Sequence, residues 1–160
     1  MTFLMICLGN ICRSPLAQGV LEHKIAQSGI KNKADFTVDS AGFEAYHLGE
    51  TPDDRAQYTA LRHGIDISHQ KQRLFTSDDF DRFDKIYVMD SGNYRDVARK
   101  VRHTQDMEKV DYILNEVYPH ENRPVPDPYY GGQDGFEKVF QLLDRACDEI
   151  MKKYVVEKML

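Results

Sequence analysis

A chain of 160 residues fits one domain built on one core and excludes a pair of catalytic domains. With 41% hydrophobic and 29% charged residues it can bury a core, so neither a disordered nor a membrane-embedded chain fits the composition. Twenty-six acids against 21 Lys and Arg give a net charge of −5, which opposes general attraction to nucleic acid or anionic lipid, so any anion site has to be local, with most of the negative charge away from it.

Phe3 to Cys7 is a continuous apolar run that stops at Gly9-Asn10, the pattern of a strand buried on both faces at the centre of a parallel sheet. After Arg13, Ser14 reads as an N-cap and Pro15 as the first helical position, and Leu16, Ala17, Val20, Leu21 and Ile25 recur at helical spacing until Gly29. Asp35 to Ser40 alternates like a second strand ending at Ala41-Gly42. Thr51-Pro52-Asp53-Asp54 supplies a cap, a proline and early acids for a helix running to about Gly64. Lys85 to Met89 is a third apolar strand, and Ser91 is placed to cap a helix over about 93–101. A short fourth strand is expected around Tyr112-Ile113-Leu114. Pro119 to Gly135 holds four of the six prolines and reads as an ordered loop, and from Phe136 an apolar stripe through Val139, Phe140, Leu143, Cys147, Ile150 and Tyr154 marks a last helix. The alternation predicts an α/β fold, a three-layer sandwich with a four-stranded parallel sheet flanked by helices on both faces, as one domain over residues 1–160.

Three cysteines, Cys7, Cys12 and Cys147, are too few for a disulfide scaffold and fit a reducing cytoplasm. No signal-peptide core and no run of about 20 apolar residues is present, so membrane insertion is not expected. Cys7 and Cys12 lack a second Cys or His pair at ligand spacing, so no zinc or other metal site is expected.

The chemistry concentrates in Cys7-Leu8-Gly9-Asn10-Ile11-Cys12-Arg13-Ser14-Pro15. A tight loop between a strand's carboxyl end and a helix amino terminus aims several N–H groups at one point, where the helix dipole adds positive potential. A tetrahedral dianion fits such a cradle. Gly9 and Asn10 readily adopt left-handed backbone values, and Arg13 offers a planar fork for two phosphate oxygens, so residues 8–14 form the expected phosphate site. Cys7, at the floor of the cradle, is expected to be a thiolate and a nucleophile rather than a buried strand cysteine. Ser14 can donate its hydroxyl to that sulfur or cap the helix. Cys12, in the same loop, is a candidate for a reversible disulfide with Cys7, or else a small buried filler. Cys147 reads as core.

The run Cys7 to Pro15, with Asp-Ser-Ala-Gly at 39–42, Ile-Ser-His at 67–69, Val-Met-Asp at 88–90 and Asp-Pro-Tyr-Tyr at 127–130, resembles the low-molecular-weight protein tyrosine phosphatases over nearly the whole chain. The resemblance implies hydrolysis of aryl phosphate monoesters on phosphotyrosine-bearing proteins by a monomer with no cofactor. It implies Cys7 as nucleophile, Arg13 as phosphate clamp and Asp127 as general acid and base; the prolines around Asp127 independently point to a loop carboxyl held in place. It further implies that Ser40 and His69 hydrogen-bond Asn10, that Asp90 lies near the site, and that Leu8, Tyr46, His47 and Tyr129 line the substrate cleft. Tyr46 stands where many relatives carry Trp, and Tyr129 and Tyr130 are candidate phosphorylation sites. An arsenate reductase is disfavoured by the lack of cysteines over 70–100, and a phosphoarginine phosphatase by Ile11 where such relatives tend to carry Thr. A sugar phosphotransfer carrier or a non-catalytic phosphate binder does not account for Arg13 together with Asp127.

Overall fold

In a computed structural model, which describes residues 1–156, four parallel strands form one sheet in the order β2-β1-β3-β4, with β1 Thr2–Ile6, β2 Thr37–Ala41, β3 Lys85–Val88 and β4 Val110–Tyr112. Leu4 pairs with Asp39 on one side and Ile86 on the other, which makes β1 the buried central strand that its apolar run predicts. Side chains alternate across it: Phe3 and Met5 enter one core, Leu4 and Ile6 the other.

The first and larger core packs against α1 (Arg13–Gln27), α2 (Asp54–Arg62) and α5 (Gln133–Ile150), through Leu16, Val20, Leu21, Ala60, Phe136, Phe140 and Leu143. The second packs Phe75, Phe80, Phe83, Val97 and Val110 from the α3 (Asp79–Arg82) and α4 (Ser91–Ala98) side. Helices thus cover both faces, and the three-layer α/β expectation holds. In this strand order the chain leaves β1 toward β2 on one side and returns to β3 on the other, which opens a crevice at the carboxyl ends of β1 and β3.

Local details depart from the sequence reading. The residue before α1 is Cys12, with φ −123° and ψ −78°, so Ser14 lies inside the first turn and does not cap it. Asp53 and Asp90, not Thr51 and Ser91, cap α2 and α4, because their carboxylates accept the Arg55 and Asn93 N–H groups at 2.8 and 2.9 Å. β4 is displaced to 110–112, and Ile113 and Leu114 are buried from a 3₁₀ turn over 113–116 instead. α5 begins three residues before Phe136 and ends in a π-helical segment, Met151–Val156. α3 was not anticipated, being a single turn with no periodicity to detect.

Candidate active site

The loop between β1 and α1 is curled by one residue in the left-handed region, Asn10 at φ 54°. Gly9 is not at positive φ, and a Cβ on it would meet only ordinary contacts, so the turn depends on Asn10 and not, as expected, on both. A less visible requirement is Gly42 at the end of β2. A Cβ there would sit 2.8 Å from the Leu8 carbonyl oxygen and 2.9 Å from the Asn10 nitrogen, so the loop can lie against β2 only over a glycine. The Leu8 carbonyl also accepts from Phe43 and Glu44, and the Ile11 carbonyl accepts from Asp53. The loop's carbonyls are thereby turned outward into the protein. Among the described residues, no protein acceptor meets the N–H groups of Leu8 through Arg13.

Cys7 lies at the floor, 3% exposed, with its Sγ 3.0 Å from Ser14 Oγ and 3.4 Å from the Ser14 N–H. Asn10 Nδ2 donates to Ser14 Oγ at 2.8 Å, which occupies a lone pair and leaves the hydroxyl hydrogen free to point at the sulfur. Asn10 Oδ1 accepts the Arg73 N–H at 3.1 Å. Asn10 is therefore held by Ser14 and Arg73. The expected partners are elsewhere: Ser40 Oγ donates to Gln18 Oε1 at 2.7 Å, and His69 is exposed and makes no hydrogen bond to Asn10. In the turn carrying His69 it is Gln70 that is buried, its amide donating to the Pro15 carbonyl at 3.1 Å.

Arg13 is likewise 3% exposed. Its Nη1 donates to Asp90 Oδ2 at 2.7 Å and to the Val125 carbonyl at 2.9 Å, leaving Nε and Nη2 as a fork toward the cleft. Burial disfavours the charged guanidinium, but the neighbouring Cys7 and Asp90 outweigh it and hold the pKa above its ordinary value. Asp90 shows the mirror case: burial raises its pKa, while the Arg13 hydrogen bond and the helix N–H groups more than offset this and keep it below the usual carboxylate range. Asp90 thus both caps α4 and orients Arg13.

Asp127 Oδ2 is 3.7 Å from Arg13 Nη2 and its Oδ1 accepts the Tyr129 N–H at 3.0 Å. The loop carrying it is tied down on both sides of the Val125 peptide, whose N–H donates to the Met89 carbonyl at 2.8 Å while its carbonyl accepts from Arg13. Further along, Arg55 forks onto Asp53, donates to the Gly131 carbonyl at 3.1 Å, and lies 5.5 Å from the Tyr129 ring centre. Arg55, Arg73, Gln18 and the Val125 carbonyl were absent from the sequence reading, because nothing local in the chain distinguishes these residues from others of their kind.

Cys7, Arg13 and Asp127 open into a cleft of about 340 Å³ walled by Leu8, Tyr46, His47 and Tyr129, so the structure brings these residues together as expected. Tyr46 is 84% exposed and Tyr130 94%, while Leu8 and Tyr129 are 38% and 37% exposed. Glu44 also lines the cleft, and Glu50, Asp53 and Asp54 line the adjoining recess, so some of the 26 acids reach the edge of the cradle. Cys12 is buried beside Cys7; burial first, and then the charge of Cys7, push its thiol well above the ordinary value. Cys147 is fully buried on α5, and burial raises its pKa also. Among the described residues no group of three His, Cys, Asp or Glu is arranged to hold a metal ion, and no helix is long and apolar enough to cross a membrane.

Residues 2–159 match the family model described as low molecular weight phosphotyrosine protein phosphatase. A putative low molecular weight protein-tyrosine-phosphatase of Synechocystis sp. is 40% identical over 94% of this chain and 94% of its own length. The human low molecular weight phosphotyrosine protein phosphatase is 37% identical over 94% and 93%. A crystal structure of a protein tyrosine phosphatase from Entamoeba histolytica superimposes with a TM-score of 0.88 at 34% identity, covering 100% of this chain and 99% of that one. With a loop of unpaired N–H groups, a buried arginine and a cysteine on its floor, the chain belongs to the low molecular weight phosphotyrosine protein phosphatase family and is a protein-tyrosine-phosphatase.

Proposed function

We propose that the enzyme works through a phosphocysteine on Cys7. Arg13 Nε and Nη2 and the N–H groups of residues 8–14 bind the equatorial phosphate oxygens, which leaves the sulfur behind phosphorus, in line with the ester oxygen. The S–P bond forms as the P–O bond breaks, and Asp127 delivers its proton to the departing aryl oxide. In the second step Asp127 takes a proton from water as its oxygen attacks phosphorus, and the P–S bond breaks with its electron pair returning to Cys7. Ser14, its hydroxyl oriented by Asn10, donates to the sulfur at that moment. The observation that carries this reading is the convergence of the Cys7 sulfur, the Ser14 hydroxyl 3.0 Å from it, and the Arg13 fork beside Asp127 over one cleft.

The reading extends to a metal-independent, cytoplasmic monomer acting as one domain over residues 1–160, with Leu8, Tyr46, His47 and Tyr129 as walls for the phosphotyrosine ring and Tyr129 and Tyr130 as candidate phosphorylation sites. Turnover of an aryl phosphate and of phosphotyrosine peptides in excess chelator tests it. Wild type is expected to be fully active there and Cys7→Ser inactive; metal-dependent turnover, or activity surviving in Cys7→Ser, would refute the mechanism.

A further inference from the structure

Glu44 brings a carboxylate to the phosphate cleft that the protein itself does not neutralise. Its main chain is fixed on both sides, the N–H donating to the Leu8 carbonyl at 3.2 Å and the carbonyl accepting from Gln72 Nε2 at 2.8 Å. Its Oε2 lies 3.8 Å from the point where a Cβ would stand on Gly9, directly over the phosphate loop. Among the described residues its side chain has neither a hydrogen bond nor an ion pair, whereas Asp79, Asp90 and Asp106 each face an arginine. Past His47 the adjoining recess carries Glu50, Asp53 and Asp54. Of these, Asp53 is paired with Arg55 and Glu50 with the His47 ring, and Lys71 is the lysine that lines the recess.

A lone carboxylate beside a bound phosphate dianion is unfavourable for every phosphorylated substrate, since like charges in a partly desolvated cleft repel. The arrangement becomes favourable when the substrate itself brings a cation to the rim. We propose that Glu44 determines specificity by receiving a Lys or Arg side chain flanking the phosphotyrosine, with Asp54 further along the same acidic track. The proposal rests on the phosphatase reading and names the substrate class within it.

Three phosphotyrosine peptides of equal length, with Arg, Ala or Glu at the flanking positions, distinguish the possibilities when kcat/KM is measured at low and high salt. Wild type is expected to favour the Arg peptide over the Ala peptide by about three- to fivefold at low salt, the size of one partly exposed charge pair. High salt should shrink that ratio. Glu44→Gln should bring the ratio near one, and Glu44→Lys should invert it toward the Glu peptide. Each variant's rate on the Ala peptide is its own reference, so any loss of folded enzyme cancels. A wild-type ratio near one, or a ratio that both substitutions leave unchanged, would overturn the assignment. Failure of wild type to hydrolyse any of the three peptides would instead count against the phosphatase reading itself.

Discussion

Ser14 and Asn10 set the immediate surroundings of the Cys7 sulfur. Asn10 occupies the one left-handed position in the loop, and its amide fixes the Ser14 hydroxyl that faces Cys7. Asp127 stands opposite, its Oδ2 3.7 Å from Arg13 Nη2. Removing a general acid typically costs about 10²- to 10⁴-fold, so Asp127→Ala should lose activity in that range, most severely on substrates with poor leaving groups. Rates on a series of aryl phosphates of rising phenol pKa measure this; equal losses across the series would assign the acid elsewhere. Burial, and then the neighbouring Cys7, raise the Cys12 thiol above its ordinary pKa, which disfavours its thiolate. After mild peroxide, mass spectrometry is expected to find Cys7 disulfide-bonded to Cys12, and sulfonic acid on Cys7 with Cys12 free would refute that pairing. At this scale the sequence places Cys7 and Arg13 in the loop after β1, while Asp127 is singled out by the resemblance and its flanking prolines, and all three line one cleft. The role of Arg73 is not legible, because a backbone N–H contributed from 63 residues away carries no side-chain signature.

Element ends matter more to this site than element interiors. β1 and α1 form where their apolar periodicities predict, but Asp90 shows how one residue at the junction of β3 and α4 serves two structures: Oδ1 caps the helix and Oδ2 binds Arg13. Asp90→Asn keeps a cap acceptor and leaves the buried guanidinium without its counter-charge, so it should cost about 2 kcal/mol at pH 7. Because the folded-state pKa of Asp90 lies below its unfolded value, its contribution is fully present above the unfolded pKa and is lost as pH falls through the folded one. Urea denaturation across pH should therefore show the two proteins differing at neutrality and converging only as pH falls through the folded-state pKa of Asp90, below the unfolded carboxylate value. A difference that persists unchanged into strong acid would mean that Asp90 acts through packing and not through charge. The fourth strand illustrates the opposite limit of sequence reading. Apolar residues over 112–114 mark burial correctly, yet the 3₁₀ turn buries Ile113 and Leu114 as well as a strand would. Short apolar runs do not tell these apart.

The whole molecule places its chemistry where a parallel sheet of this order opens, between the carboxyl ends of β1 and β3. A parallel sheet with helices on both faces followed from the alternation of strands and helices, and the strand order did not. The charge distribution did not follow from it. A net charge of −5 allowed the cradle to be the exception on an acidic surface, but Glu44 and the recess beside His47 carry acid to its edge. Only the folded chain brings residues 44 and 50–54 against residues 7–13. The proposed mechanism depends on a covalent intermediate forming on the buried sulfur in that crevice. Acid quenching of wild-type enzyme during turnover of an aryl phosphate, followed by peptide mass spectrometry, measures it directly. A phosphoryl group on Cys7, absent from Cys7→Ser, is the predicted result, and phosphorylation of another residue, or turnover without any phosphocysteine, would contradict the account.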